Sequence, residues 1–222
     1  MIDIFIKLLK REIKLAIVNI SIIISYSSFF LMSLLIFTFG IGPDIGKLNE
    51  LYSPIVWLIM LFSIILISEN FLMHDYRDGS LRELQYLGYS EELIIFSKTV
   101  VMFLILIIPH FFLIPICSIL LNLNSIELIN LSINVILGCP SLILISLISN
   151  LLTIQVRQSK VLQFVIIMPF YVPLIIFITA SNPNDSLEII DLNKFLILIG
   201  FFLITLPIVL LSGKMILKEV NK

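Results

Sequence analysis

Two ionisable side chains inside long apolar segments are the first candidates for chemistry in this sequence. Glu69 lies near the end of one apolar run, and His110 lies in the next run beside Pro109. Charge is rare in hydrocarbon, so such a residue is a functional hypothesis by default. For Glu69 the favoured interpretation is structural: its carboxylate reaches the membrane edge or pairs with Lys98. For His110 we expect a buried neutral imidazole that is hydrogen-bonded to a neighbouring helix rather than a ligand.

The sequence lacks the motifs of nucleotide hydrolysis and of common hydrolases. Gly213-Lys214-Met215 has neither the preceding glycine nor the hydroxyl residue that a phosphate-binding loop needs. The zinc-hydrolase and serine-hydrolase motifs are absent as well. We therefore expect no catalytic residues in this chain, with any ATP bound by a partner.

Cysteine and histidine usage argues against a metal site or a covalent cofactor. Cys117 and Cys139 are the two cysteines, both in apolar runs, and are predicted to be packing residues. His74 and His110 fall at different depths of the membrane, so they cannot bind one haem iron within a monomer. The chain also lacks the attachment motif of c-type haem.

The composition excludes a water-soluble monomer and a nucleic-acid-binding protein. Hydrophobic residues make up 59% of the 222 residues and charged residues 13%, against roughly 45–50% and about 25% in ordinary globular chains. So few charged side chains cannot cover a soluble fold of this size. A formal net charge of -1 also lacks the basic surface that phosphate neutralisation requires. Most of the chain must lie in lipid.

Six apolar runs are long enough to cross a bilayer, which takes about 20 residues of helix. Helices are favoured because backbone in lipid must satisfy its own hydrogen bonds and the runs lack the alternation of barrel strands. The sequence therefore predicts an all-α polytopic membrane protein with a single membrane domain over residues 1–222. The predicted spans are 17–40, 51–73, 93–121, 126–152, 161–180 and 195–217.

The basic residues predict the orientation of these spans. Twelve of the fourteen Lys and Arg residues fall in segments on one side of the membrane, and only Lys47 and Lys194 fall on the other. By the positive-inside rule both termini are cytoplasmic, which agrees with an even number of spans.

Residues 1–16 are predicted to form an amphipathic helix in the cytoplasmic interface. Such a helix places its apolar face in the acyl boundary and its lysines among the anionic headgroups of the membrane lipid. It serves either as a topology determinant or as a hinge for the first span. The apolar and basic sets are Phe5, Leu9, Ile13 and Lys7, Lys10, Arg11, Lys14.

A short helix is predicted in the connection between the second and third spans. Asp78 and Ser80 are candidate caps, and Glu83 would complete a capping box with Ser80. Gly79 permits a sharp turn before the helix, and Gly88 is placed to end it.

This cytoplasmic coupling segment, residues 74–92, carries leucines at a spacing of three. Together with Tyr86 they form more apolar surface than a cytoplasmic helix leaves in water. Either the same chain covers them or a soluble partner docks there, and the partner is preferred. The predicted docking residues are Asp78, Gly79, Ser80, Leu81, Glu83, Leu84 and Leu87.

Pro169 and Pro173 in the fifth run are candidate hinges. A proline removes a helix hydrogen bond and invites a kink, which membrane helices tolerate when neighbours satisfy the backbone. Kinked helices are common in transporters. Bends that serve packing alone are the alternative.

The sequence resembles the CcmB family of haem-exporter permeases over nearly its whole length. The resemblance implies an ABC-2-type permease architecture in the bacterial inner membrane, with six transmembrane helices and an N-terminal interfacial helix. The segments that carry it are Gly42-Pro43, Ile55-Val56-Trp57, Glu69 through Asp75 to Asp78-Gly79-Ser80-Leu81, and Met168 to Phe177 with its paired prolines.

This resemblance implies partners and a cargo. A CcmA-like ATPase would dock on the short helix and couple ATP hydrolysis to haem export or to release of the haem-loaded chaperone CcmE. CcmC and CcmD would be further partners, and a homodimer would match two ATPase subunits. Two alternatives remain open: an ABC-2-type permease for another lipophilic substrate, and a non-transporting haem-assembly scaffold.

Overall fold

The computed structural model describes residues 2–154, 159–179 and 192–220, and all regular structure in these ranges is helical. The all-α prediction is confirmed. The helices are α1 (Ile2–Val18), α2 (Ile20–Ile41), α3 (Ile45–Arg77), α4 (Ser80–Tyr86), α5 (Glu91–Leu121), α6 (Ser125–Thr153), α7 (Ser159–Thr179) and α8 (Leu192–Val220).

Five of the described helices, α2, α3, α5, α6 and α8, are long and apolar enough to cross a membrane. They correspond to every predicted span except the fifth. That span falls on α7, whose apolar part is the shorter stretch Val161–Phe177. The 21 residues of α7 nevertheless extend about 31 Å, close to the thickness of a bilayer core. The chain is a polytopic helical membrane protein, while the span predicted at α7 and the orientation of the termini stay predictions.

Left-handed residues and helix caps reverse the chain between successive spans. Gly42 ends α2 with a φ of 83°, a backbone angle that favours glycine. The Asp44 side chain then accepts a hydrogen bond at 3.3 Å from the first turn of α3. Asn122 ends α5 with a φ of 53°, and Asn124 forms a capping box with Glu127 at the start of α6. These short connections make α2 and α3, and likewise α5 and α6, packed neighbours.

The central helix of the fold is α6. It packs against α3, α5, α7 and α8, and all of its residues from Ser141 to Leu147 are buried. Trp57 of α3 and Phe30 of α2 are also fully enclosed. The outer faces of α2 and α8 instead expose large apolar side chains such as Met32 and Leu203. An apolar surface of this kind suits lipid rather than water.

The two cysteines belong to this packed interior. Cys117 and Cys139 are buried free thiols, each 1% exposed. Their predicted role as packing residues is confirmed.

A close approach at Gly213 provides a test of this packing. A Cβ added there would lie 2.3 Å from Ile95 Cδ1 and 3.3 Å from Leu151 Cδ1. We expect Gly213→Val to destabilise the protein by about 1–3 kcal/mol, because overpacking displaces the neighbouring side chains. Gly200→Val in the same helix is the matched control, since a Cβ at Gly200 meets nothing within 4 Å. Thermal unfolding in detergent compares the two variants, and equal melting temperatures would contradict this close approach.

Candidate docking site and buried charge cluster

Helix α4 lies between two glycines in the left-handed region. Gly79 precedes the helix with a φ of 76°, and Gly88 follows it with a φ of 83°. Tyr89 N donates to Leu84 O at 3.2 Å, and Gly88 N donates to Gln85 O at 2.9 Å. This pair of hydrogen bonds is a Schellman motif. The predicted turn at Gly79 and the predicted helix end at Gly88 are confirmed.

The predicted capping box between Ser80 and Glu83 is wrong. The helix begins at Ser80 itself and has no side-chain hydrogen bond at its N-cap. The Ser80 hydroxyl donates instead to Asp75 O at 3.2 Å, and the Asp78 carboxylate lies 2.9 Å from His74 Nδ1. Ser80 lies one position inside the helix, so its hydroxyl is not placed to accept from the first-turn N–H groups as an N-cap does.

The three leucines of the α4 segment do not all face the same way: two are buried and one is exposed. Leu81 and Leu84 are 3% and 4% exposed, whereas Tyr86 and Leu87 are 89% and 73% exposed. A spacing of three falls about 60° short of a full turn at each step, so Leu87 is rotated by about 120° from Leu81. The prediction of one exposed stripe is therefore corrected: the chain itself covers Leu81 and Leu84. We define the docking surface as the exposed residues Glu83, Tyr86 and Leu87.

Four charged side chains from three helices form a cluster close to the start of α4. Lys98 of α5 has a side chain only 1% exposed; its Nζ donates to Glu12 Oε2 of α1 at 3.1 Å and to Asp75 Oδ2 of α3. Arg11 Nη1 lies 2.5 Å from Glu12 Oε1 and 3.7 Å from Asp75 Oδ2. Two cations thus face two anions. We call Arg11, Glu12, Asp75 and Lys98 the charge cluster.

The charge cluster keeps Asp75 ionised. Burial raises the pKa of Asp75, but the Lys98 ammonium and the Arg11 guanidinium outweigh burial and hold the pKa below its ordinary value. The ionised carboxylate therefore contributes its full stabilisation above the ordinary range of about pH 4. That contribution is lost as the pH falls through the lowered pKa.

Glu12 is a site residue that the sequence pattern did not single out. The predicted apolar stripe faces the acyl boundary, and Ile13 within it is 37% exposed on the protein surface. The buried face consists of Leu8, Glu12 and Ala16, which recur at a spacing of four. This buried face lies beside the predicted stripe, because adjacent residues are about 100° apart around a helix. One signal could have pointed to Glu12: Lys98 lies close to an apolar run, and a buried ammonium needs acidic partners.

The expected pairing of Glu69 with Lys98 stays a prediction. The backbone of Glu69 belongs to α3, but its side chain lies outside the part of the chain whose side chains are described. The acceptors of Lys98 within the described part are Glu12 and Asp75.

His110 joins α5 to α2 through a buried polar contact. It is 3% exposed, and its Nδ1 lies 2.5 Å from the Tyr26 hydroxyl. The ring of Phe30 packs edge-on against the imidazole with centroids 5.0 Å apart. The prediction of a buried imidazole hydrogen-bonded to a neighbouring helix is confirmed. Nε2 of His110 has no hydrogen-bond partner among the described residues.

Helix α7 is attached to α3 and α6 by buried polar side chains. Gln163 Nε2 donates to Ser68 Oγ at 3.3 Å, and the Tyr171 hydroxyl donates to a backbone carbonyl of α6 at 2.6 Å. Pro169 and Pro173 lie inside this helix with exposed side chains. The hinge role of these two prolines stays a prediction.

Long apolar helices around a central helix, with a short helix between two spans, define a multi-pass helical membrane protein. The family model described as CcmB protein matches residues 3–214. The chain therefore belongs to the CcmB family.

Several similar proteins bear the name heme exporter protein B. The one from Haemophilus influenzae is 30% identical over 186 residues, which cover 84% of each chain. The one from Bradyrhizobium diazoefficiens is 27% identical over 154 residues and 69% of each chain. The one from Escherichia coli K12 is 25% identical over 199 residues and 90% of each chain.

The contact between Tyr26 and His110 can be measured by a double-mutant cycle. We expect a coupling free energy of about 0.6–1.7 kcal/mol between Tyr26→Phe and His110→Phe, the range of interhelical hydrogen bonds in membranes. Reversible unfolding in mixed detergent micelles gives the four stabilities. The control cycle replaces Tyr26→Phe by Tyr171→Phe, whose hydroxyl bonds to α6 instead, and it should show no coupling. Equal coupling in both cycles would contradict the assignment.

Proposed function

We propose that this chain is the membrane permease subunit of an ATP-driven complex that exports haem for cytochrome c maturation. Two findings support the proposal: the chain belongs to the CcmB family, and similar proteins are named heme exporter protein B. The multi-pass helical fold supplies the membrane domain that such a subunit requires. Haem is the cargo in this proposal and is not covalently attached to the chain.

The free energy for export must come from another subunit, because the sequence lacks a phosphate-binding loop. A CcmA-like ATPase that binds ATP and docks on α4 meets this need. CcmC and CcmD are the further proposed partners. Release of the haem-loaded chaperone CcmE is the proposed alternative output of the same ATP-driven step.

The docking surface is the observation that favours a bound partner. Tyr86 and Leu87 are 89% and 73% exposed and lie outside the five apolar spans. Tyrosine is among the residue types enriched at binding hot spots, and burial of the adjacent leucine would remove further apolar area from water. Asp78 and Glu83, both exposed, add acidic groups at the rim, where charge guides orientation.

The inner side of α4 makes this surface rigid. Leu81 and Leu84 are buried, and the Ser80 hydroxyl bonds to the end of α3. A partner that pushes on Tyr86 and Leu87 therefore displaces the helix as a unit. In the proposed orientation α4 and both termini are cytoplasmic, and the protein resides in the bacterial inner membrane. Two copies of the chain would present two such helices to a pair of ATPase subunits.

Removal of the apolar anchors tests the docking surface. We expect Tyr86→Ser with Leu87→Ser to lower copurification of the ATPase by about tenfold or more, since a loss of about 1.4 kcal/mol already has that effect. Phe39→Ser is the matched control, because Phe39 is also an exposed apolar residue, 77% exposed. It lies near the C-terminal end of α2, which in the proposed orientation is on the side of the membrane opposite to α4. Quantitative pull-down from solubilised membranes measures all variants. Wild-type copurification by the double variant would contradict this surface.

A complementation experiment tests the function itself. Cells that lack this chain should lose haem attachment to c-type cytochromes, because in the proposed function haem reaches them through the ATP-driven step. Re-expression should restore attachment only with a hydrolysis-competent ATPase, as measured by haem staining of the cytochromes. Restoration with a hydrolysis-dead ATPase would instead support a scaffold. Normal haem attachment without the chain would support a permease for another lipophilic substrate.

A further inference from the structure

The charge cluster connects the start of α4 to the helices α1 and α5. Asp75 is bonded on two sides: its backbone carbonyl accepts from the Ser80 hydroxyl at 3.2 Å, and its carboxylate accepts from Lys98. Lys98 in turn donates to Glu12 at 3.1 Å. Consecutive polar contacts therefore run from α4 through the end of α3 to α5 and α1.

Stability alone gives little reason for four charges at this position. Desolvation of buried ions offsets their mutual attraction, and well-packed apolar residues of similar volume often fold as well or better. Loss of one partner is different, because it leaves an uncompensated charge in apolar surroundings. The helices that share the cluster are therefore constrained to move together.

We propose that the charge cluster transmits displacement of α4 to α1 and α5, with Glu12, Asp75 and Lys98 as positioning residues for the coupling step. This inference rests on the proposed function, in which an ATPase acts on α4. From both α1 and α5 the displacement can reach membrane-spanning helices. α1 is followed directly by the span α2, and α5 is itself a span.

An apolar contact next to the charge cluster also joins α1 to α5. The rings of Phe5 and Phe96 pack with centroids 5.5 Å apart, and Leu8 is buried in the same part of α1. Because apolar packing holds α1 on α5 independently of the charges, a variant without one ion pair can keep the fold. Folding and coupling are therefore separable by mutation.

The test uses variants that remove one charge of each sign. Glu12→Gln with Lys98→Met leaves Arg11 and Asp75 as a neutral pair. Arg11→Gln with Asp75→Asn leaves the Lys98–Glu12 pair and severs the link to α3. Single Lys98→Met leaves two carboxylates facing one guanidinium and should lower the yield of folded protein.

Both neutral double variants are assayed in the full complex, in cells that lack the native chain. We expect copurified ATPase to stay close to the wild-type level, while haem attachment to c-type cytochromes falls by about tenfold, an effect within the range for residues between coupled sites. A cluster that only holds the fold together predicts normal haem attachment once the variant is folded.

A second ion pair on α5 provides the matched control. Lys214 Nζ of α8 lies 2.6 Å from Glu92 Oε1, and both side chains are 38% exposed. Glu92→Gln with Lys214→Met makes the same change of charge without touching the path from α4. This control should keep both the bound ATPase and haem attachment.

Three results would overturn the inference. They are wild-type haem attachment by both neutral doubles, loss of the bound ATPase together with haem attachment, and failure of both doubles to fold. The proposed function fails by a different result, namely haem attachment by the wild-type chain with an ATPase that cannot hydrolyse ATP. The two failures are therefore distinguishable in one set of strains.

Discussion

An ammonium group that is 1% exposed must be neutralised within its own fold, and this constraint organises the chain around Lys98. Its acceptors, Glu12 and Asp75, come from two other helices. Removal of one partner from a buried pair costs about 3–5 kcal/mol, a large part of the about 5–15 kcal/mol that stabilises a typical protein. The relative positions of α1, α3 and α5 are therefore fixed where α4 begins.

The short helix α4 depends on the fixed positions of the helices where it begins. A helix of seven residues does not persist in water by itself, so α4 depends on the burial of Leu81 and Leu84 and on the glycines that turn the chain at both ends. Its outer residues, Tyr86 and Leu87, contribute nothing to that support. The backbone of both residues is held by the glycine turns and by the buried face of the same helix.

The sequence predicts the spans well because the length of an apolar run against the bilayer thickness is a one-dimensional property. The turns at Gly79 and Gly88 were predictable for a similar reason, since the left-handed conformation favours glycine. Rotation around a helix is harder to predict, because a shift of one residue turns the face by about 100°. The capping role of Ser80 fails because the helix begins one residue earlier, and the burial of Glu12 depends on which face of α1 packs on the protein.

Polar contacts add directional preference to the apolar packing of this fold, because lipid tails are as apolar as leucine and do not by themselves favour one helix partner. Three helices have such a contact: α1 has Glu12 with Lys98, α2 has Tyr26 with His110, and α7 has Gln163 with α3. Two of these three contacts end on α5. A displacement of α5 therefore acts on both α1 and α2 through directional bonds, in addition to the apolar packing that joins these helices.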